Sequence, residues 1–134
     1  AGRIAAEGIV ATAVAADEKK AVIVEVNAET DFVAKNEKFQ TYVADVAAQA
    51  LTTSAKDLDA FMEERWAKDE TLSVKEALAS QIAIIGENMN IRRFERLEGA
   101  LVPYVHGGGK IGVFKRDALC RQLFGKRLIF LAQG

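Results

Sequence analysis

The sequence predicts an α+β fold: a small antiparallel β-sheet, built from an N-terminal hairpin and C-terminal strands, covered on one face by about three helices. Three observations carry this expectation. Strand-like apolar segments lie at both ends of the chain, and the middle carries apolar residues at helical spacing. The third is size: 134 residues, half of them hydrophobic and with a single proline, can bury a real core and suit one domain or a piece of a larger one.

Each element follows from its own pattern. Two apolar runs, Ile9 to Ala16 and Ala21 to Val26, flank the polar Asp17-Glu18-Lys19-Lys20 and read as a β-hairpin. In the second run Val22, Val24 and Val26 alternate with Ile23, Glu25 and Asn27, the period of a half-buried strand. From Asp31 the period changes. Phe39, Val43, Val46 and Ala50 fall at helical steps, with Asn36 as a candidate cap and Thr30 as a candidate cap for a short turn before it. Phe61, Met62, Arg65 and Trp66 suggest a second, short helix. Val74, Leu78, Ile82 and Ile85 form a third apolar stripe, stopped by Gly86, which can adopt the left-handed conformation at a helix C-terminus. Strand-like composition returns in Ile91 to Leu97, Leu101 to His106 and Ile111 to Phe114, and Pro103 implies an edge or a bulge.

Composition narrows the function classes. Eighteen basic against 19 acidic side chains argue against a protein that wraps nucleic acid over its whole surface. A lone Cys120 and a lone His106 supply neither an intramolecular disulfide nor a zinc site. No apolar run reaches the roughly 18 to 20 residues of a membrane span, and residues 1–15 lack signal-peptide order. The expectation is a cytoplasmic protein without cofactor, metal, membrane or direct nucleic-acid partner. Its opening Ala-Gly-Arg, without Met, points to a processed or excised chain. Charge is uneven: residues 115–134 hold five bases and one acid, whereas the first 114 hold 13 bases and 18 acids. A core unit over 1–114 and a divergent basic tail over 115–134 are therefore expected.

Few constellations carry chemistry. Gly107-Gly108-Gly109-Lys110 lacks the spacing and the hydroxyl of a phosphate-binding loop, and Lys110 leads into a strand instead of a helix. His106 has no second imidazole with which to build a triad or a metal site, so no enzymatic role is expected. Arg92-Arg93 beside Phe94 reads as a solvated strand edge in preference to a phosphate or RNA contact. The segment Glu25 to Phe39, EVNAETDFVAKNEKF, leaves two alternatives. Phe32 either staples into the core, with Asp31 at a helix N-terminus, or both stand exposed as a probe at the helix tip.

Three stretches resemble a known family: Val26 to Asn36 (VNAETDFVAKN), Ile85 to Arg93 (IGENMNIRR) and His106 to Val113 (HGGGKIGV). Their order and spacing are similar to those of bacterial elongation factor Ts, the nucleotide exchange factor of the GTPase elongation factor Tu. The resemblance covers roughly residues 1–113, the first half of that family's core domain. The family's N-terminal helical domain and second core half have no counterpart here, and 115–134 match nothing familiar in it. What the resemblance implies is specific. It makes the chain an exchange factor that binds elongation factor Tu, both GDP-bound and nucleotide-free, and promotes GDP release by disturbing its magnesium and phosphate site. Asp31 and Phe32, flanked by Thr30 and Val33, would intrude between helices of the partner, and Ile85, Gly86 and His106 would join the same contact surface. The alternative is a truncated fragment that docks on elongation factor Tu without efficient exchange.

Overall fold

The computed structural model describes residues 4–5, 7–15 and 20–98. The hairpin forms as expected. Strand β1 (Glu7–Val14) pairs antiparallel with β2 (Lys20–Ala28) from Glu7 opposite Ala28 to Val14 opposite Ala21. A 3-10 helix (Asp31–Lys35) follows, then α1 (Glu37–Thr52) and α2 (Leu58–Met62). Two short strands, β3 (Arg65–Trp66) and β4 (Asp69–Ser73), lead into α3 (Val74–Ile85), and β5 (Met89–Glu98) returns to the hairpin. The main sheet has the order β1-β2-β5, with β2 central and antiparallel to both neighbours.

Helices cover one face of this sheet. Ile9, Ala11 and Ala13 of β1 join Val22, Val24, Val26 and Ala28 of β2 in one core with Phe39, Tyr42, Val43, Val46, Ala47 and Ala50 of α1. The α1 stripe is the one the sequence spacing predicts, and Asn36 caps it by accepting the amides of Lys38 and Phe39 at 2.8 and 3.3 Å. A reciprocal capping box between Ser73 and Glu76 starts α3, and Gly86 ends it at φ 86° with its N–H donated to the Ile82 carbonyl.

Three expectations change. Arg65 and Trp66 are not helical: α2 stops at Met62, and Trp66 sits in a two-residue strand where its buried ring meets Tyr42 at 5.7 Å between centroids. That aromatic contact wins over the helical spacing, and Glu64 accepts the Val74 amide across the resulting loop. Next, β2 is not half-buried. Ile23, Glu25 and Asn27, which point away from the helices, are buried as well, Ile23 and Glu25 as fully as the valines. Finally, Arg92-Arg93 does lie on β5, the outer strand of the described sheet, with the Arg93 side chain 42% exposed, but Arg93 is not simply solvated, since it has a buried partner. A bulge in β5, between the pairs Glu25–Arg93 and Val26–Ile91, leaves Arg92 extra and exposed and sets Arg93 opposite the fully buried Glu25. The two form an ion pair at 2.8 Å, while Phe94 packs on Phe61. The strands expected at 101–106 and 111–114, with Pro103, His106, the triple glycine, Cys120 and the whole of 115–134, lie outside the described residues. Among the described residues no helix is long and apolar enough to cross a membrane.

Candidate functional site

The site begins where the central strand ends. Ala28 of β2 is paired with Met89 of β5, so the segment leaving one strand runs beside the segment entering the other. Residues 29–30 therefore lie against 87–88. Thr30 occupies the N-cap position of the 3-10 helix with an extended backbone, yet its hydroxyl makes no capping bond. Both its amide and its hydroxyl instead donate to the Glu87 carboxylate, at 3.0 and 2.8 Å. The Asn88 amide donates in the opposite direction, to Glu29 at 2.7 Å. Strand pairing stops at Ala28, and these two carboxylates continue the connection one step further.

The 3-10 helix sorts its side chains sharply. Val33 turns inward, 4% exposed, and belongs to the core, so its side chain is not on the surface. Asp31 is exposed, and Phe32 is 75% exposed, which decides between the two alternatives for that ring: it is not a staple. Asn36 donates its amide back to Val33, and the Gln40 side chain donates to Ala34, closing the helix from its far side. Ile85 is half-buried against the core and Gly86 is exposed. The fold thus brings Thr30, Asp31, Phe32, Ile85 and Gly86 to one end of the sheet, whereas His106 lies outside the described residues.

Two features were not foreseen. Ile84, 53% exposed, adds an apolar side chain next to Ile85. It lines an open groove of about 490 Å³ with Glu37, Lys38, Thr41, Tyr42 and Gln81, between α1 and the end of α3. The second is the Glu29 and Glu87 brace. Both glutamates fall inside the recognised stretches, but nothing in the sequence pairs Thr30 with a residue 57 positions away. Among the described residues no group of three or more His, Cys, Asp or Glu could hold a metal ion.

An acid and an aromatic ring thus stand outward on a short helix, beside a glycine turn. Comparison with known proteins gives the chain a family. The family model described as Elongation factor TS matches residues 29–118, two thirds of the chain, and takes in both sides of the site. The chain belongs to the elongation factor Ts family. It is similar to elongation factor Ts of Clostridium tetani, 52% identical over 115 residues, which cover 84% of this chain and 38% of that protein. The Clostridium novyi protein is likewise 52% identical, over 116 residues, with the same coverage. Elongation factor Ts of Clostridium perfringens, 48% identical, aligns with all of this chain and with 49% of its own length. The chain therefore spans about two fifths to one half of these relatives.

Proposed function

We propose that the chain is the partner-binding core of a guanine-nucleotide exchange factor in translation elongation. It binds elongation factor Tu in its GDP-bound and nucleotide-free forms and promotes GDP release. The observation that carries this reading is the exposed Asp31–Phe32 pair on a short helix, in a chain of the elongation factor Ts family. A large apolar ring left in water is costly unless a partner covers it. The role is non-enzymatic: no bond is made or broken by this chain, which acts in the bacterial cytoplasm by changing which state of its partner is stable. Asp31, Phe32, Ile85, Gly86 and His106 form the contact surface, with Thr30 and Val33 holding the segment that presents it. The exchange surface is confined to residues 1–114, with 115–134 outside it.

Linkage fixes the energetic requirement. A factor that binds the nucleotide-free GTPase more tightly than the GDP form must itself be weakened by GDP in the same ratio. Moving the partner from 1:99 to 99:1 in favour of the open state takes about 5.5 kcal/mol of differential binding. Burial of Phe32 supplies part of this. The remainder comes from unsettling the partner's magnesium, a hard cation that demands near-ideal octahedral oxygen ligation and is sensitive to a displaced ligand or a nearby carboxylate such as Asp31.

The test is release of a fluorescent GDP analogue from elongation factor Tu with this chain in excess. Accelerated release is expected. Binding without acceleration would leave only docking, and absence of binding would overturn the reading altogether.

A further inference from the structure

We infer that Glu87, with Glu29 in support, is a positioning residue for the exchange surface: the two carboxylates brace the Asp31–Phe32 segment against the Gly86 turn and hold the ring outward. The inference rests on the exchange reading for its functional consequence, but the brace itself is a property of the free chain. It stands on four observations. The Asp31–Lys35 helix has five residues of 3-10 geometry, whose hydrogen bonds are poorly aligned, so it cannot fix its own orientation. The Thr30 hydroxyl, which could have capped that helix, is committed to Glu87 instead. Glu87 also takes the Thr30 amide, so one carboxylate fixes both the backbone and the side chain of the residue preceding Asp31. Glu29 answers from the opposite loop by accepting the Asn88 amide, which makes the brace reciprocal.

The two ends of the segment are thereby held independently. Thr30 is tied to Glu87, and Val33 is sunk in the core. Phe32 lies between these anchors, so its backbone is held on both sides and its ring is carried outward. The base of the brace is fixed too, because Gly86 ends α3 in the left-handed conformation with its N–H on Ile82, and Glu87 leaves from that turn. Hydrogen bonds to an ionised carboxylate are roughly twice as strong as neutral ones, which suits a half-buried contact between two loops.

The consequence is on apparent affinity and not on the maximal rate. If only a fraction of the chain holds Phe32 in the competent orientation, the apparent dissociation constant rises by the inverse of that fraction. Glu87→Ala should therefore raise the concentration needed for half-maximal GDP release about tenfold, for a competent fraction near one tenth, while the rate at saturation stays close to that of the unaltered chain. Glu87→Gln should restore it. The amide oxygen can still accept the Thr30 N–H, and the Thr30 hydroxyl can accept from the amide nitrogen. Adding Glu87→Ala to Phe32→Ala should change the half-maximal concentration by less than about twofold, since a ring that is gone needs no positioning.

Amide hydrogen exchange at Thr30 and Asn88 in the free chain supplies a readout that does not involve the partner. Faster exchange at Thr30 in Glu87→Ala, with the α1 amides unchanged, is expected. Thr30 protection equal to that of the unaltered chain would overturn the brace, whether or not the chain stimulates GDP release. Failure of the unaltered chain to stimulate release would overturn the exchange reading and leave the amide result standing. Glu87→Gln as impaired as Glu87→Ala, or full additivity with Phe32→Ala, would show that the carboxylate acts on the partner directly and refute positioning.

Discussion

Replacement of Phe32 by alanine separates a contact residue from a core residue. A buried phenylalanine removes about 150 to 250 Å² from water, and at about 25 cal/mol per Å² the full side chain corresponds to roughly 4 to 6 kcal/mol. Phe32 is 75% exposed in the free chain, so only a quarter of that area contributes to folding, on the order of 1 to 1.5 kcal/mol. The other three quarters, on the order of 3 to 5 kcal/mol before ordering costs, become available when a partner covers the ring. A tenfold change in affinity corresponds to about 1.4 kcal/mol, so Phe32→Ala should weaken stimulated GDP release by at least about tenfold, with a ceiling of roughly a few thousandfold. Phe39, fully buried in α1, is the internal contrast: Phe39→Ala should cost about 3 to 5 kcal/mol of stability. The assay is GDP release titrated with each variant, alongside urea unfolding of the free chain. A large loss of stability in Phe32→Ala with release unaffected would return the ring to the core and refute the reasoning.

Three further outcomes follow from particular contacts. Asp31→Asn should slow GDP release, and the defect should shrink when magnesium is chelated, because the ion that the carboxylate helps to unsettle is already gone; an equal loss at every magnesium concentration would indicate lost docking alone. Asn36→Ala removes the side chain that accepts the Lys38 and Phe39 amides and should destabilise the chain by about 0.5 to 2 kcal/mol in urea unfolding, returned mostly by Asn36→Asp. Burial holds the Tyr42 phenol well above its ordinary value of 10.0. The unfolded chain then loses this proton first, and stability should fall above about pH 10 with a slope approaching 1.4 kcal/mol per pH unit. Tyr42→Phe should flatten that alkaline decline at little cost near neutrality, since the hydroxyl has no hydrogen-bond partner among the described residues.

Periodicity was a reliable guide wherever one local pattern had a single physical reading. The α1 stripe, its Asn36 cap, the Gly86 stop and the hairpin all follow from spacing and from the few residue types that satisfy helix ends or turns. Trp66 shows the limit. Four residues at helical spacing read as one helix, but a contact with Tyr42, 24 positions earlier, draws Trp66 into a strand. Glu25 shows a second limit: an acid alternating with valines signals a solvent-facing side, whereas here an ion pair with Arg93, from a strand 68 positions away, helps to make its burial tolerable. The bulge that aligns this pair has no sequence mark that alternation would detect.

The candidate site divides in the same way. The sequence by itself marked Asp31, Phe32, Ile85 and Gly86 as candidates, since the stretches around them are legible as motifs, and it determined the family to which the chain belongs. It left open whether Phe32 faces the core or water, because a five-residue helix has no hydrophobic period long enough to fix its rotation. That orientation was decided by tertiary structure: Val33 is the side chain the core accepts, and Phe32, one residue earlier, must then point away. Tertiary structure alone also joined Thr30 to Glu87. Antiparallel pairing of β2 with β5 folds 57 positions of chain back on themselves, and only then do a threonine and a carboxylate with no local relation come within hydrogen-bonding distance.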